Sequence, residues 1–217
     1  MFCLSSTYMD AHVFRPNKAY ANFTNKEDPA EQFAFMQSVL EAASKCRKQP
    51  SPGCSPTVHI VAHIAPGVFE RTPNFTWFRD PYNEKFLKLT VDYAEVIGMM
   101  LFGHHHTDTF HLVKDANGTA VQFVLMSPAV TPWFSSLDGA GANNPAFRLY
   151  DANYDGTFND ITRANNMYFR GGQLCSMEFA DYPRYYSCLA QYKSSALHGF
   201  YTVIFVLLAS SLSNLFL

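Results

Sequence analysis

The sequence predicts a mixed α/β fold on three observations. Two stretches carry apolar side chains at helical spacing, and a short, apolar, strand-like run follows each of them. A third region contains several short strand-like runs separated by glycine, asparagine and proline. This alternation of helix and strand is typical of α/β proteins, and 217 residues are enough to bury a hydrophobic core.

The first helix is predicted over residues 28–47. Asp28 is a natural N-cap, and Pro29 suits the first helical position because its missing N–H is not needed there. The Pro- and Gly-rich segment 49–54 then ends the helix. A second helix is predicted over residues 81–97, where apolar residues again recur at helical spacing.

Two buried strands are predicted, over residues 58–64 and 96–102. The first ends at a Pro-Gly turn and the second at a glycine. Residues 1–10 lack the basic and apolar parts of a signal peptide, so an interior strand is the preferred interpretation of this segment. Shorter strands are predicted at 109–114, 119–126 and 146–151.

Composition excludes one class of partner. The chain is 48% hydrophobic and only 16% charged, with a formal net charge of -2. Binding of a nucleic-acid polymer requires a basic field that this charge balance does not provide. We therefore expect no nucleic-acid polymer as a partner.

The five cysteines form no C-x-x-C pair, so a thiolate zinc finger is not expected. Cys46 and Cys54 flank a short Pro- and Gly-rich segment, and Cys175 and Cys188 flank a tyrosine-rich one. Both spacings suit disulfide-closed loops, with Cys3 left over. Five free thiols in a cytosolic protein remain the alternative, since connectivity does not follow from sequence.

Three sequons of the form N-x-[ST] favour passage through the secretory pathway, which also permits disulfides: Asn22, Asn74 and Asn117. A secreted or cell-surface location is therefore expected. The first residues of this chain do not supply the corresponding signal peptide.

The C-terminal residues 199–217 contain no charged side chain and approach the length of a membrane span. Small residues at 194–196 precede them, so a cleaved lipid-anchor (GPI-type) signal is predicted, which would attach the protein to a membrane. A retained tail helix and a buried core helix are the alternatives. The predicted domain organisation is a body, a cap and this hydrophobic tail, over residues 1–164, 165–193 and 194–217.

Histidines lie at the carboxyl ends of both buried strands, where open α/β sheets bind ligands. His63 ends the first strand, and His104 and His106 follow the second. Two residues apart in an extended segment, His104 and His106 can point the same way, with His105 facing away. Imidazole is a common zinc ligand.

His63 taken alone is more often a hydrogen-bonded structural histidine. Three adjacent histidines after an apolar strand, however, have no evident packing purpose. The three predicted metal ligands are therefore His63, His104 and His106. Two nearby side chains are expected to orient these ligands: Asp108 and His111.

These residues also carry a family resemblance. The segments Ala62–Gly67 (AHIAPG) and Gly103–Asp108 (GHHHTD) resemble those of the acid sphingomyelinase-like phosphodiesterases, in the calcineurin-like metallophosphoesterase superfamily. The similarity runs from about residue 5 to 190. Three further segments match the same subfamily: Asn83–Phe86, Ser127–Pro132 and Asn144–Arg148.

The resemblance implies the C-terminal half of a calcineurin-like metallophosphoesterase β-sandwich flanked by helices, with a small disulfide-linked C-terminal cap. It further implies that His63 and His104 serve one zinc ion and that His106 serves a second. His105 stands where the family usually has threonine.

The family's remaining ligands come from D-x-H, G-D and G-N-H segments. The chain has no G-D or G-N-H, and its single D-x-H lookalike, Asp10-Ala-His12, is not taken as the family motif. The histidine that protonates the leaving group belongs to G-N-H, so the catalytic acid is unknown here. We expect an N-terminal half to be missing, at most one ion to bind well, and turnover to be feeble or absent.

The predicted function is zinc-dependent hydrolysis of phosphodiester bonds in sphingomyelin-like lipids or nucleotide phosphates. Two alternatives stay open. The first is a non-catalytic cell-surface glycoprotein that binds lipid or a protein partner. The second is an incomplete gene model.

Overall fold

A computed structural model of the chain describes most of its length. The described residues are 2–3, 21–22, 24–148, 151–152, 158–160 and 171–191.

The centre of the fold is a five-stranded sheet. Its strands are β1 (Phe2–Cys3), β2 (Val58–Val61), β3 (Ile97–His106), β4 (Thr109–Lys114) and β5 (Ala120–Pro128). They lie in the order β1-β2-β3-β5-β4, with β4 antiparallel to β5 and the other neighbouring pairs parallel. The mixed α/β prediction is confirmed, and so is strand character near the N-terminus at Phe2–Cys3.

Helices and two small ribbons complete the described structure. The helices are α1 (Gln32–Lys48), α2 (Asp80–Asp92), α3 (Gly171–Glu178) and α4 (182–191), with short 3-10 turns at Pro29–Glu31 and Ala94–Val96. The ribbons pair β6 (Trp133–Ser135) with β7 (Gly141–Asn143), and β8 (Asp151–Ala152) with β9 (Phe158–Asp160). In this part of the chain the only large sheet is the five-stranded one, so the second sheet of a sandwich is not seen there.

Helix α1 begins at Gln32, later than its predicted start at Asp28, because a short 3-10 turn with Ala30 and Glu31 in the left-handed region comes first. The Asp28 carboxylate accepts hydrogen bonds from the backbone N–H groups of Phe33 at 2.9 Å and Ala34 at 2.8 Å. Asp28 therefore satisfies donors of the first helical turn across the short 3-10 turn.

The end of α2 was predicted too late. The helix stops at Asp92, and Ile97 already pairs with Val58 of β2. Strand pairing overrides the helical pattern here, because Ile97 is a β-branched residue that is buried in the sheet.

Strand β3 continues beyond its predicted end at residue 102 to His106, which pairs with Pro128 of β5. The histidines therefore belong to the strand and not to a following loop. The strand predicted over 146–151 was wrong for residues 146–148, which form no regular element, and β8 contains only Asp151–Ala152.

The core lies where α1 and α2 pack on the sheet. Its most buried members come from both helices and from three strands: Leu40, Ile60, Phe86, Met100 and Val124. This core fixes the carboxyl ends of β2, β3 and β5 side by side at one edge of the fold.

A second, smaller cluster joins the C-terminal helices to the body, formed by Val68, Cys175, Tyr182 and Tyr185. The Ala180 N–H donates to the Leu112 carbonyl oxygen at 3.3 Å, which ties this segment to β4. The predicted cap thus packs directly on the body, while the proposed boundary at 164/165 lies outside the described residues.

Both predicted disulfides are present, Cys46–Cys54 and Cys175–Cys188. The predicted tail over residues 194–217 lies outside the described residues. Among the helices that the structure does describe, none has the length and apolar character needed to cross a bilayer.

Breaking the cap disulfide should destabilise the chain. The Cys175→Ala, Cys188→Ala variant frees two residues that lie 13 positions apart, so the unfolded chain gains conformational freedom. We expect a loss of about 3 kcal/mol in the free energy of unfolding, measured by urea denaturation. Alanine is chosen because Cys175 is fully buried. An unchanged denaturation midpoint would contradict the expectation.

Candidate metal centre

The carboxyl ends of β2 and β3 hold His63 and the histidine run side by side. Parallel pairing continues past the end of β2: the Ala62 N–H donates to the Leu101 oxygen at 3.0 Å, and the Gly103 N–H donates to the His63 oxygen at 2.8 Å. A side chain at Gly103 would place its Cβ only 3.2 Å from the His63 ring. Glycine therefore leaves the room that the His63 ring occupies.

His63 and His104 converge as a ligand pair would. His63 Nε2 and His104 Nδ1 lie 3.2 Å apart, and the two rings meet edge to face. A tetrahedral zinc ion with Zn–N distances of about 2.0–2.1 Å separates two ligand nitrogens by about 3.3 Å. The two nitrogens therefore fit one zinc ion with little movement.

His106 lies near the same pair. The charge of a protonated His106 would lower the pKa of His104, and His63 has the same effect on the pKa of His106, so the rings are near one another. The His106 ring packs edge to face on Trp133, with 4.7 Å between ring centroids. His106 Nδ1 is buried and has no hydrogen-bond partner within the part of the chain that the structure describes, so it is available to a cation. We call His63, His104 and His106 the strand-end site.

Two of these rings are held neutral. Burial, together with smaller effects of the neighbouring His63, His105 and His106, lowers the pKa of His104 to about 3. Burial also lowers the pKa of His106, with smaller effects of His63 and His105. Neutral imidazole offers a lone pair to a metal, so both rings are in the state that metal binding needs at neutral pH.

An irregularity in β3 decides which histidines face outward. Met100 and Phe102 are buried, and strict alternation would bury His104 and His106 next. The register with β5 shifts between Phe102 and His106, and His105 is buried instead. Bulges often re-aim side chains in this way near functional sites.

The same segment has an unusual backbone. His104 and His106 have φ values of +67° and +59°, in the left-handed region that non-glycine residues seldom adopt. Each such residue costs roughly 1–2 kcal/mol. Strain of this kind is typical of sites where the surrounding structure fixes the backbone for a function.

The ring of His105 contacts an acid that sequence reasoning missed. His105 Nδ1 lies 2.7 Å from Glu70 Oε2, and Thr107 donates to Glu70 Oε1. The Glu70 and His105 side chains are fully buried. Burial raises the pKa of Glu70, but the charge of His105 and the hydrogen bonds from His105 and Thr107 outweigh it, so the pKa lies below its usual value.

The expectation that the run has no packing purpose was therefore wrong for His105. One sequence signal pointed to this pair: Glu70 is an acidic residue directly after the apolar run Val68–Phe69.

The two side chains predicted to orient the ligands have other described partners. Asp108 forms an ion pair with Arg148, whose side chain is almost fully buried. His111 Nδ1 donates to the Pro66 carbonyl oxygen at 2.9 Å. Through these bonds both residues hold neighbouring segments against the strand-end site, and their effect on the metal ligands stays a prediction.

Glu70, His105 and His111 form a buried group with the chemistry of metal ligands, each offering one ligand atom within 4.8 Å of the others. We call these three residues the buried triad. It lies on the inner side of β3, whereas the strand-end site lies at the outer side. The three predicted glycosylation acceptors, Asn22, Asn74 and Asn117, are exposed, and their modification stays a prediction.

Large apolar side chains are exposed on the segments that follow β5. They include Trp133, which packs on His106, and they form what we call the apolar rim: Val130, Trp133, Phe134 and Phe147. Phe134 and Phe147 are 72% and 77% exposed, so these rings are available to a ligand or surface.

No family model matches the chain. It is 42% identical over 126 residues to "Acid sphingomyelinase-like phosphodiesterase 3b" of Homo sapiens, covering 57% of this chain and 26% of that protein. It is 34% identical over 126 residues to "Cyclic GMP-AMP phosphodiesterase SMPDL3A" of Homo sapiens, covering 58% and 26%.

A more distant organism has a similar protein. The chain is 31% identical over 148 residues to "Sphingomyelinase phosphodiesterase C" of Dictyostelium discoideum, covering 64% of this chain and 30% of that protein. The chain thus spans between a quarter and a third of the length of these relatives. Over 57–64% of its length, and with a mixed α/β fold and two disulfides, the chain is thus similar to acid sphingomyelinase-like phosphodiesterases, which confirms the predicted resemblance.

Proposed function

We propose that this chain supplies part of the active site of a zinc-dependent phosphodiesterase. The observation that carries the proposal is the 3.2 Å separation of His63 Nε2 and His104 Nδ1, which suits two ligands of one ion. His106, with a buried and unpaired Nδ1, would serve a second ion. Zinc fits this all-imidazole donor set, although other borderline cations have similar preferences.

The residues of the site have distinct roles in this proposal. His63 and His104 hold one ion, and Trp133 packs on His106 and so limits the orientations of its ring. When bound, zinc supplies a Lewis acid for the phosphate oxygens and lowers the pKa of a bound water. The neutral state of His104 keeps its lone pair available at the pH of the reaction.

The substrates we propose are sphingomyelin-like lipids or nucleotide phosphates. One relative is named for cyclic GMP-AMP and another for sphingomyelin, so the names support both classes. The apolar rim lies beside His106 through Trp133, where an aromatic surface can stack on a base or contact an acyl chain.

We also propose a secreted or cell-surface location. Two disulfides and three exposed sequon asparagines support passage through an oxidising compartment. Attachment to a membrane through residues 194–217 remains a proposal from sequence.

A zinc-dependent assay tests the function. The chain, secreted from eukaryotic cells, is incubated with Zn²⁺ and bis-p-nitrophenyl phosphate. We expect slow hydrolysis, at least roughly 100-fold below that of the human relatives, because three ligands hold one ion well and leave a two-ion site incomplete. The matched control is the His63→Ala, His104→Ala, His106→Ala variant, which should be inactive.

Equal rates for the chain and this variant would overturn the proposal. A rate matching that of the human relatives would instead contradict the expectation that three ligands leave the site incomplete.

A second candidate function is a non-catalytic surface glycoprotein that binds lipid, and the exposed apolar rim favours it. Zinc content and vesicle binding separate the two. Sphingomyelin-containing vesicles that bind the chain equally well with and without the three histidines, together with absent hydrolysis, would support the binding function.

A further inference from the structure

The buried triad lies behind the strand-end site and has no place in the proposed hydrolysis. Glu70, His105 and His111 are 1%, 2% and 0% exposed. One ligand atom from each lies within 4.8 Å of the other two. Two imidazoles and a carboxylate form a donor set that zinc uses in proteins.

The tautomer of His111 points to a vacant lone pair. Its Nδ1 lies 2.9 Å from the Pro66 carbonyl oxygen, which can only accept a hydrogen bond, so Nδ1 carries the hydrogen. In the neutral ring Nε2 then carries the lone pair. Metal-binding histidines usually donate their other N–H to a carbonyl or carboxylate in this manner.

Two ring nitrogens of the triad lack partners. His105 Nε2 and His111 Nε2 are buried and have no hydrogen-bond partner in the described part of the chain. A buried polar atom without a partner is costly, so the unpartnered His111 Nε2 in a cluster of metal-ligand residues needs an explanation. A cation held between the triad side chains would provide its partner.

Glu70 is already oriented as a ligand would be. Thr107 donates to Oε1, and Oε2 faces His105 Nδ1 at 2.7 Å. The triad contains one full negative charge among two imidazoles, which a divalent cation compensates in a buried setting.

We propose that Glu70, His105 and His111 form a second metal site, which holds a structural zinc-class divalent cation inside the fold. The cation takes the place of the hydrogen between Glu70 Oε2 and His105 Nδ1, and in the neutral ring this hydrogen moves to His105 Nε2. The site uses none of the three histidines of the strand-end site. It would lock His105 in place and so stabilise the left-handed backbone of His104 and His106.

Removal of the strand-end site isolates the proposed ion. In the His63→Ala, His104→Ala, His106→Ala variant, we expect about one zinc ion per chain after dialysis against zinc-free buffer, measured by mass spectrometry of the elements. Adding His111→Gln or Glu70→Gln should reduce the zinc content to near zero. His59→Gln in the same background is the matched control, because His59 lies on β2 outside both clusters.

Two results would overturn this site. The first is a folded triple variant without zinc, which would leave Glu70 and His105 joined by their hydrogen bond alone. The second is a zinc content unchanged by His111→Gln. If the additional variants do not fold, Co²⁺ loaded into the triple variant decides: visible absorption of nitrogen- and oxygen-coordinated Co²⁺ supports the site, and its absence overturns it.

These outcomes are separate from the proposed hydrolysis, because the triple variant lacks the strand-end site from the start.

Discussion

The double variant His104→Ala, His106→Ala should no longer bind added zinc at the strand-end site. Each ligand of a zinc site contributes on the order of a quarter of about 10–16 kcal/mol, so zinc affinity should fall by about 100-fold or more per histidine. Calorimetric titration of Zn²⁺ into the chain measures this. The buried triad is shielded from solvent and should not exchange within such a titration.

The matched control for this experiment is His105→Thr, which changes the residue between the two ligands. It removes the inner contact to Glu70 but keeps both outward rings, so a measurable zinc affinity should remain. An unchanged titration in the double alanine variant would show that His104 and His106 are not ligands.

Replacing Asn83 with alanine should strongly destabilise the fold. Asn83 is buried in α2, where its Oδ1 accepts from the Gly67 N–H at 2.9 Å and its Nδ2 donates to the Ala180 oxygen at 3.1 Å. The variant leaves two buried backbone groups without partners, at roughly 1–3 kcal/mol each. We expect a loss of about 2–4 kcal/mol in the free energy of unfolding.

The melting temperature should accordingly fall by roughly 4–16 °C, which differential scanning calorimetry measures. The control is Glu84→Ala, because Glu84 is the next residue on the same helix and is exposed. Equal melting temperatures for the two variants would contradict a structural role of the Asn83 amide. Because Asn83 joins the Pro-Gly turn beside His63 to the C-terminal segment, its loss should also weaken zinc binding.

Local sequence signals predicted those helices and strands whose ends are marked by a capping residue or by proline and glycine. Asp28, the predicted cap of α1, does accept hydrogen bonds from the first helical turn, although the helix itself begins at Gln32. Strand β4 was predicted with its observed bounds, 109–114. Both disulfides followed from the spacing of cysteines around loop-like segments.

Elements set by distant pairing were predicted less well. The end of α2 depends on Ile97 pairing with Val58, almost forty residues earlier, and no local pattern reports it. The extension of β3 to His106 depends likewise on Pro128 of β5.

For the site, proximity at the carboxyl ends of β2 and β3 was predictable from topology, and His63 and His104 do come together. Glu70 was not identified, because it reaches His105 only through the turn that follows His63.

The register shift in β3 reverses which side chains of the strand, even-numbered or odd-numbered, face the core. Before it, even-numbered residues such as Met100 and Phe102 face the core, and after it the odd-numbered His105 does. Deleting one residue between Phe102 and His104 would keep every histidine yet exchange inside for outside. The function of the three histidines therefore depends on which of them the strand register turns toward the core. The count of histidines would be the same in the natural chain and in the deletion variant, although their orientations would be exchanged.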